Sequence, residues 1–336
     1  MLLVSVQVVP RSLKEAVVGH PAVLVLLGLV VVLAGVGILV VADRVLGRTR
    51  PVPLDGTHPG LRGAWGITER SRALGILVAL AVVAACLALA PRWYGLTAVL
   101  APALAALACL VVLLAGQRVI GRRLADGGAG LEVRSLRQYA GRAIRRVVGL
   151  GALLVALAVA GGGWYGSYGR QFDAWGSTVT GRPREYCDTM ISPFLGPYYA
   201  LPLAGALAAV GLTVLVVLRV VVARPRNGAD PGVVAVDDEA RRRVATSALA
   251  VTGVAAWGTL AIGLTNFWST ARTLDDATRT PGACGMPLGT SVVAYGVGAV
   301  VAAVLAVGFL VRLLRPSAGR VVAGQVAPAA GERVGA

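Results

Sequence analysis

Seven stretches of about twenty apolar residues dominate this chain of 336 residues. A bilayer core about 30 Å thick is crossed by about 20 helical residues, and a helix satisfies its own backbone polar groups in lipid. Hydrophobic residues make up 57% of the chain and charged residues only 14%, which excludes an ordinary soluble domain. The sequence therefore predicts an all-α, polytopic transmembrane helical bundle with seven spans, at residues 21–42, 73–90, 96–117, 147–165, 198–222, 246–267 and 291–314.

The basic residues, nearly all of them arginine, favour alternate loops. About 24 of the 32 lie in one set of loops and the C-terminal tail, and cytoplasmic loops carry such an excess. This predicts a multi-pass protein of the plasma membrane with its N-terminus outside and its C-terminus inside. Residues 1–20 would be extracytoplasmic and residues 315–336 a flexible cytoplasmic tail. Because the arginines are spread over short loops, they do not indicate nucleic-acid binding.

The first apolar stretch has a second interpretation. Arg11 and Lys14 precede it, as in a signal peptide. Its length of about 22 residues exceeds the apolar core of a signal peptide, and cleavage would leave the arginines of residues 43–72 outside. We therefore expect a span that is retained.

An internal repeat organises the chain. Arg145, Arg146 and Val147 recur as Arg242, Arg243 and Val244, and Cys187 recurs as Cys284, all at an offset of 97 residues. This predicts two tandem parallel helical hairpins, at residues 147–222 and 246–314, with outer cap loops at 166–197 and 268–290. The hairpin at 73–117 is interpreted as a third copy with a shortened outer loop, because it also enters and exits at arginines. Parallel repeats occur in transporters, but duplication of a purely structural hairpin gives the same pattern.

The four cysteines divide into two pairs. Cys187 and Cys284 end corresponding outer loops in an oxidising compartment, which predicts a disulfide between them, with two free thiols as the alternative. Cys86 and Cys109 lie at different depths in neighbouring spans, so we expect both to stay reduced and to act as small packing residues.

The first outer cap loop, residues 166–197, is rich in aromatic residues that lie too far from the spans to belong to an interfacial belt. Together with arginines they predict an extracytoplasmic cap. Two interpretations of it remain: a packed structural cap, or a recognition surface, since aromatic residues and arginine are frequent in binding hot spots. The candidate recognition residues are Phe172, Trp175, Tyr186, Phe194, Arg182 and Arg184.

The spans carry little polar chemistry. No ionisable residue lies at mid-membrane depth, where such residues mark proton and ion pathways. The sixth span is the most polar, and Thr252, Thr259 and Asn266 are its candidate lining residues. Small residues at four-residue spacing, including Ala81 with Ala85, Gly205 with Ala209, and Gly298 with Ala302, predict close helix packing. No metal-ligand cluster or nucleotide motif occurs, so we expect no metal, no cofactor and no enzymatic activity.

The phrases LEVRSLRQYAGRAIRR at 131–146 and PYYALPLAG at 197–205, with the basic run at 241–243, resemble a group of uncharacterised polytopic membrane proteins of actinobacteria. The resemblance covers roughly the last two thirds of the chain. It implies the membrane fold and transfers no activity, and Tyr139 and Pro202 are interpreted as packing or belt residues rather than functional ones.

Three functional hypotheses follow. The first is a non-enzymatic membrane scaffold or sensor-like component that binds the lipid bilayer and other membrane proteins. The second is a small-molecule permease or transporter component without an ion-coupling carboxylate. The third, an intramembrane enzyme, lacks a nucleophile and a base at the same depth and is disfavoured.

Overall fold

This computed structural model describes residues 59–124, 139, 141–165, 172–175, 188–191, 196–224, 231–277 and 289–314. All of them belong to one compact unit, Arg50–Ala336. The predicted N-terminal segment, the predicted first span at 21–42 and the predicted tail at 315–336 lie outside the described residues.

Long apolar helices form the described part of the chain. They are α1 (Pro59–Leu89), α2 (Leu96–Leu124), α3 (Arg142–Tyr165), α4 (Pro197–Ala223), α5 (Pro231–Ala277) and α6 (Gly289–Leu314). All six are long and apolar enough to cross a membrane. They correspond to the second to seventh predicted spans, which confirms a helical membrane bundle.

The predicted cap loop between α3 and α4 contains a short antiparallel ladder that the sequence did not predict. Strand β1 (Phe172–Trp175) pairs with β2 (Asp188–Ile191), with Phe172 opposite Ile191 and Trp175 opposite Asp188. Four-residue strands without clear alternation give no signal above that of an ordinary loop.

The connection between α1 and α2 is a tight turn. A 3-10 turn at Ala90–Trp93 begins with a proline near its first position, and Gly95 then adopts φ +83°. The Gly95 amide donates to the Ala90 carbonyl at 2.8 Å. Because residues with a side chain rarely adopt this left-handed conformation, the glycine allows α2 to return directly along α1.

Helix α5 is the centre of the bundle. In the most apolar stretch of α5, 72% of the residues are buried, whereas 22 to 44% are buried in the corresponding stretches of the other five helices. At about 1.5 Å per residue its 47 residues extend for about 70 Å, more than twice the hydrocarbon thickness. It therefore continues beyond the bilayer while its middle packs against α2, α3, α4 and α6.

Close approaches hold the neighbouring helices to α5. The Trp257 indole donates to the Val147 carbonyl of α3 at 3.2 Å and lies over Gly151. One turn earlier in α5, Gly253 receives the Phe309 ring of α6. These aromatic side chains occupy space that only glycine leaves open.

The remaining helix faces are exposed and apolar. Leu201 and Leu212 of α4 are 73% and 67% exposed, and Leu157 of α3 is 60% exposed. Apolar surface on this scale is typical of residues that face lipid rather than water. These faces support the placement of the bundle in a membrane.

The predicted small-residue stripes have mixed outcomes. On α6, Gly298 packs against Leu264 and Ala302 is buried, so that prediction is confirmed. Ala81, Ala85 and Gly205 are exposed, so the stripes proposed on α1 and α4 are wrong as packing faces. Small residues also occur on lipid-facing surfaces, where nothing needs to approach them.

Both membrane-embedded cysteines behave as predicted. Cys86 and Cys109 are free and buried. Cys109 packs closely against Gly75 of α1. The two thiols act as small packing residues.

The predicted hairpins pack their two arms differently. Helix α5 runs closely along α6, whereas α3 packs more extensively on α5 than on its predicted hairpin partner α4. The 97-residue repeat therefore stays a prediction, to be tested by superposing α3 and α4 on α5 and α6.

The bundle has two distinct ends. One, here called the arginine-rich end, contains the starts of α1, α3 and α5 and the ends of α2, α4 and α6; the described exposed arginines there are Arg70, Arg118, Arg122, Arg142, Arg146, Arg219, Arg242 and Arg312. At the opposite end, the Tyr199 hydroxyl donates to the Tyr94 carbonyl at 2.6 Å and fastens α4 to the α1–α2 turn. The arginine count predicts that the arginine-rich end is cytoplasmic.

Single-cysteine labelling tests this orientation in a background without the native cysteines. An impermeant maleimide should label Asp275→Cys in intact cells. It should label Gly60→Cys and Ala235→Cys only after permeabilisation. Labelling of Ala235→Cys in intact cells would show that the predicted orientation is inverted.

Candidate functional site

The C-terminus of α4 is capped by an arginine from α5. The last carbonyls of a helix have no partner within the helix and carry a partial negative charge. Arg241, fully buried, donates from Nη1 to the Val221 carbonyl and from Nη2 to the Arg224 carbonyl, both at 2.8 Å. One guanidinium thus satisfies several carbonyls at once and ties α4 to α5.

A buried aspartate lies between this arginine and a second one. Asp237 precedes Arg241 by one helical turn, and its Oδ2 accepts from Arg241 Nε at 2.8 Å. Its Oδ1 accepts from Arg224 Nη2. Arg224 Nη1 also donates to Gln117 Oε1 of α2 at 3.2 Å. We call Gln117, Arg224, Asp237 and Arg241 the inner cluster; it joins α2, α4 and α5.

The inner cluster is almost completely excluded from solvent. The side chains of Arg224, Asp237 and Arg241 are 1%, 3% and 0% exposed. Burial lowers the pKa of Arg224, and the neighbouring Asp237 opposes that shift. An arginine starts from such a high pKa that its guanidinium stays protonated. The cluster therefore holds charges that are stable only while each keeps its partners.

A second ion group joins α5 to α1. Arg243 lies with Nε 2.7 Å from Glu69 Oε1, and its guanidinium carbon is 5.3 Å from the centre of the Trp65 ring. Arg72 Nη1 approaches Glu69 Oε2 at 3.9 Å. Since Arg241 and Arg243 are two residues apart, they extend from nearly opposite sides of α5. The start of α5 is thus bound on both sides.

Tyr139 adds a further contact at this end. It is buried, and its hydroxyl donates to Asp238 Oδ1 at 3.2 Å. Tyr139 is therefore a packing residue at this end that also makes a polar contact to α5.

The contacts of residues 237–243 differ from what this DDEARRR run predicts. Taken from the sequence alone, its acidic residues indicate a helix start and its arginines indicate orientation only. Helix α5 begins at Pro231, so Asp237 lies well inside it, and two of the three arginines form internal ion pairs while Arg242 is exposed. The spacing of Asp237 and Arg241, one turn apart, was the sequence feature that could have predicted their ion pair. No sequence feature indicated that Gln117 and Arg224 would contact them.

The chemistry of the inner cluster favours fastening over catalysis. Both oxygens of Asp237 accept from guanidinium groups, which leaves neither free to remove a proton from a substrate. Among the residues that the structure describes, no group of three or more His, Cys, Asp or Glu side chains is arranged to hold a metal ion.

The predicted recognition cap is described only in part. Phe172 and Trp175 lie at the two ends of β1. Tyr186, Phe194, Arg182 and Arg184 lie outside the described residues, as do Cys187 and Cys284. Internal packing of the cap and recognition of a partner by it both stay predictions.

The disulfide also stays a prediction. Cys187 directly precedes β2, so a bridge to Cys284 would tie the ladder to the loop between α5 and α6. We expect unreduced protein to resist alkylation at both residues and a peptide linking them to appear by mass spectrometry. Cys187→Ser should leave membrane insertion intact and accelerate proteolysis of the cap from outside. Ready alkylation of both thiols without reductant would exclude the bridge.

The three candidate lining residues share one face of α5. Thr252, Thr259 and Asn266 are spaced by seven residues, or nearly two helical turns. Thr252 donates to the Ala248 carbonyl of its own helix at 2.9 Å. Thr259 is buried, and its hydroxyl has no hydrogen-bond partner in the described part of the protein. Thr270, on the same face, has a second such hydroxyl.

Comparison of the chain with protein-family models, with curated proteins and with solved structures gave no match. The resemblance to actinobacterial membrane proteins therefore stays a prediction.

Proposed function

We propose that the protein is a non-enzymatic scaffold or sensor-like component of the plasma membrane that binds other membrane proteins. The observation that carries this proposal is the double attachment of α5 at the arginine-rich end. The inner cluster fastens it to α2 and α4, and Glu69 fastens it to α1. Ion pairs and a buried hydrogen bond to Gln117, which together join four helices, favour one fixed arrangement.

A bundle whose arginine-rich end is held in one arrangement fits a scaffold better than a transporter that changes conformation. A transporter of the alternating-access type must separate its helices at each end in turn. At the arginine-rich end, separating α4 from α5 would take Arg224 away from Asp237 and Arg241 away from the last carbonyls of α4. Charged groups that are buried in the closed arrangement would then lose their partners. Meanwhile Arg142 and Arg242 stay exposed and available to a protein partner.

Site-specific photocrosslinking in cells tests the scaffold. A photoreactive residue at Arg242 or Thr273, at the two ends of the bundle, should give a discrete protein adduct. The same probe at Leu212 on the lipid-facing side of α4 serves as the matched control and should give none. Identical patterns at all three positions would argue against a specific protein partner.

The alternative is a small-molecule permease, favoured by the polar face of α5. Two buried hydroxyls on that face, of Thr259 and Thr270, lack hydrogen-bond partners among the described residues. Buried polar groups of this kind are usually satisfied by water or a ligand. In this version the inner cluster would be a gate that opens.

Proteoliposome swelling separates the two functions. A permease should admit small neutral solutes, and Thr259→Val should reduce uptake while Thr213→Val, at a hydroxyl that bonds its own helix in α4, should not. The scaffold proposal expects no solute-dependent swelling above that of empty liposomes.

A further inference from the structure

Three lipid-facing stripes each end in an exposed arginine at the arginine-rich end. On α3, Leu157, Leu153 and Leu150 are 60%, 57% and 50% exposed, and Arg146 follows on the same face. The spacings of three and four residues place such side chains in one row along a helix.

The same pattern occurs on two more helices. On α4, Leu212 and Leu215, 67% and 57% exposed, lead to the exposed Arg219. On α2, the exposed Val111 leads through Ala115 to Arg118. The three helices come from different positions in the chain, so the pattern does not arise from one local sequence.

The predicted span ends place each of these arginines close to the level of the lipid headgroups. Arg118 and Arg146 are one residue outside the predicted span ends at 117 and 147, and Arg219 is three residues inside the end at 222. No carboxylate among the described residues forms an ion pair with any of them. A long arginine side chain can lie along apolar surface and bring its charge to the interface.

We propose that Arg118, Arg146 and Arg219 bind the phosphate groups of anionic phospholipids in the leaflet at the arginine-rich end. The apolar stripe below each arginine contacts the acyl chain, and the planar guanidinium donates two parallel hydrogen bonds to the phosphate. A negatively charged leaflet attracts basic residues at its surface. The three positions thus select anionic over zwitterionic lipid, whether the protein is a scaffold or a permease.

Native mass spectrometry of the full chain in detergent tests the selectivity. With phosphatidylglycerol and phosphatidylcholine offered in equal amounts, the first adducts should favour phosphatidylglycerol by about fivefold, the ratio that corresponds to about 1 kcal/mol per arginine near the surface. The variant R118Q/R146Q/R219Q should lose most of that preference. R118K/R146K/R219K keeps the charges and should retain most of it.

Two controls test whether the preference for phosphatidylglycerol comes from these three arginines and from a whole lipid rather than from free phosphate. R92Q/R272Q removes exposed arginines from the opposite end and should leave the preference unchanged. A large excess of inorganic phosphate should not displace the lipid, because the acyl contacts are part of the site. Equal binding of the two lipids, a wild-type preference in R118Q/R146Q/R219Q, or displacement by phosphate would each overturn the proposal.

Discussion

Asp237→Ala is expected to lower the free energy of unfolding by about 3–5 kcal/mol, the range for removing one partner of a buried ion pair. Asp237 accepts from two guanidinium groups that are 1% and 0% exposed. Its loss leaves Arg224 and Arg241 close together in a buried site. Unfolding in sodium dodecyl sulfate titrations and thermal melting in mild detergent would measure the change.

Glu239→Ala provides the matched control two residues along the same helix. The Glu239–Arg242 pair has an equally short contact of 2.8 Å, but its side chains are 37% and 55% exposed. Exposed pairs contribute about 0–1 kcal/mol, so this variant should melt close to wild type. Arg224→Met combined with Asp237→Leu removes opposite charges together and should recover part of the loss. If Asp237→Ala and Glu239→Ala change the free energy of unfolding equally, the inner cluster does not stabilise the bundle as proposed.

The second to seventh spans were predictable from the sequence because their signal is local. About twenty consecutive apolar residues require a helix in lipid, whatever lies beside it. Which face each helix presents was harder to predict. Gly298 and Gly205 occupy similar sequence patterns, yet one packs against Leu264 and the other is exposed. In a span that is apolar all round, the sequence does not distinguish a lipid-facing side from a protein-facing side.

The inner cluster was missed for a related reason. Its four members come from α2, from the residue after α4 and from α5, and Gln117 and Arg224 are 107 residues apart. Arginines at span ends have a general explanation in membrane orientation, which concealed their individual roles. Only the fold shows that Arg241 is buried while its neighbour Arg242 is exposed.

Gly253→Ala should destabilise the contact between α5 and α6, although alanine is the better helix former. A methyl group at position 253 would lie 2.6 to 2.8 Å from three atoms of the Phe309 ring. Those atoms belong to a rigid ring that is itself buried, so the helices must shift. Overpacking of this kind costs about 1–3 kcal/mol, which exceeds the gain of about 1 kcal/mol expected from helix propensity.

Gly211→Ala in α4 isolates the propensity effect, because nothing lies within 4 Å of the position that its methyl group would take. It should be neutral or stabilising in the same detergent melts, whereas Gly253→Ala should be destabilising. Adding Phe309→Leu to Gly253→Ala should restore part of the lost stability, since a leucine side chain can move away from the new methyl group. If Gly253→Ala melts at or above the wild-type temperature, the Phe309 ring does not fill that space and α5 and α6 do not approach each other closely at Gly253.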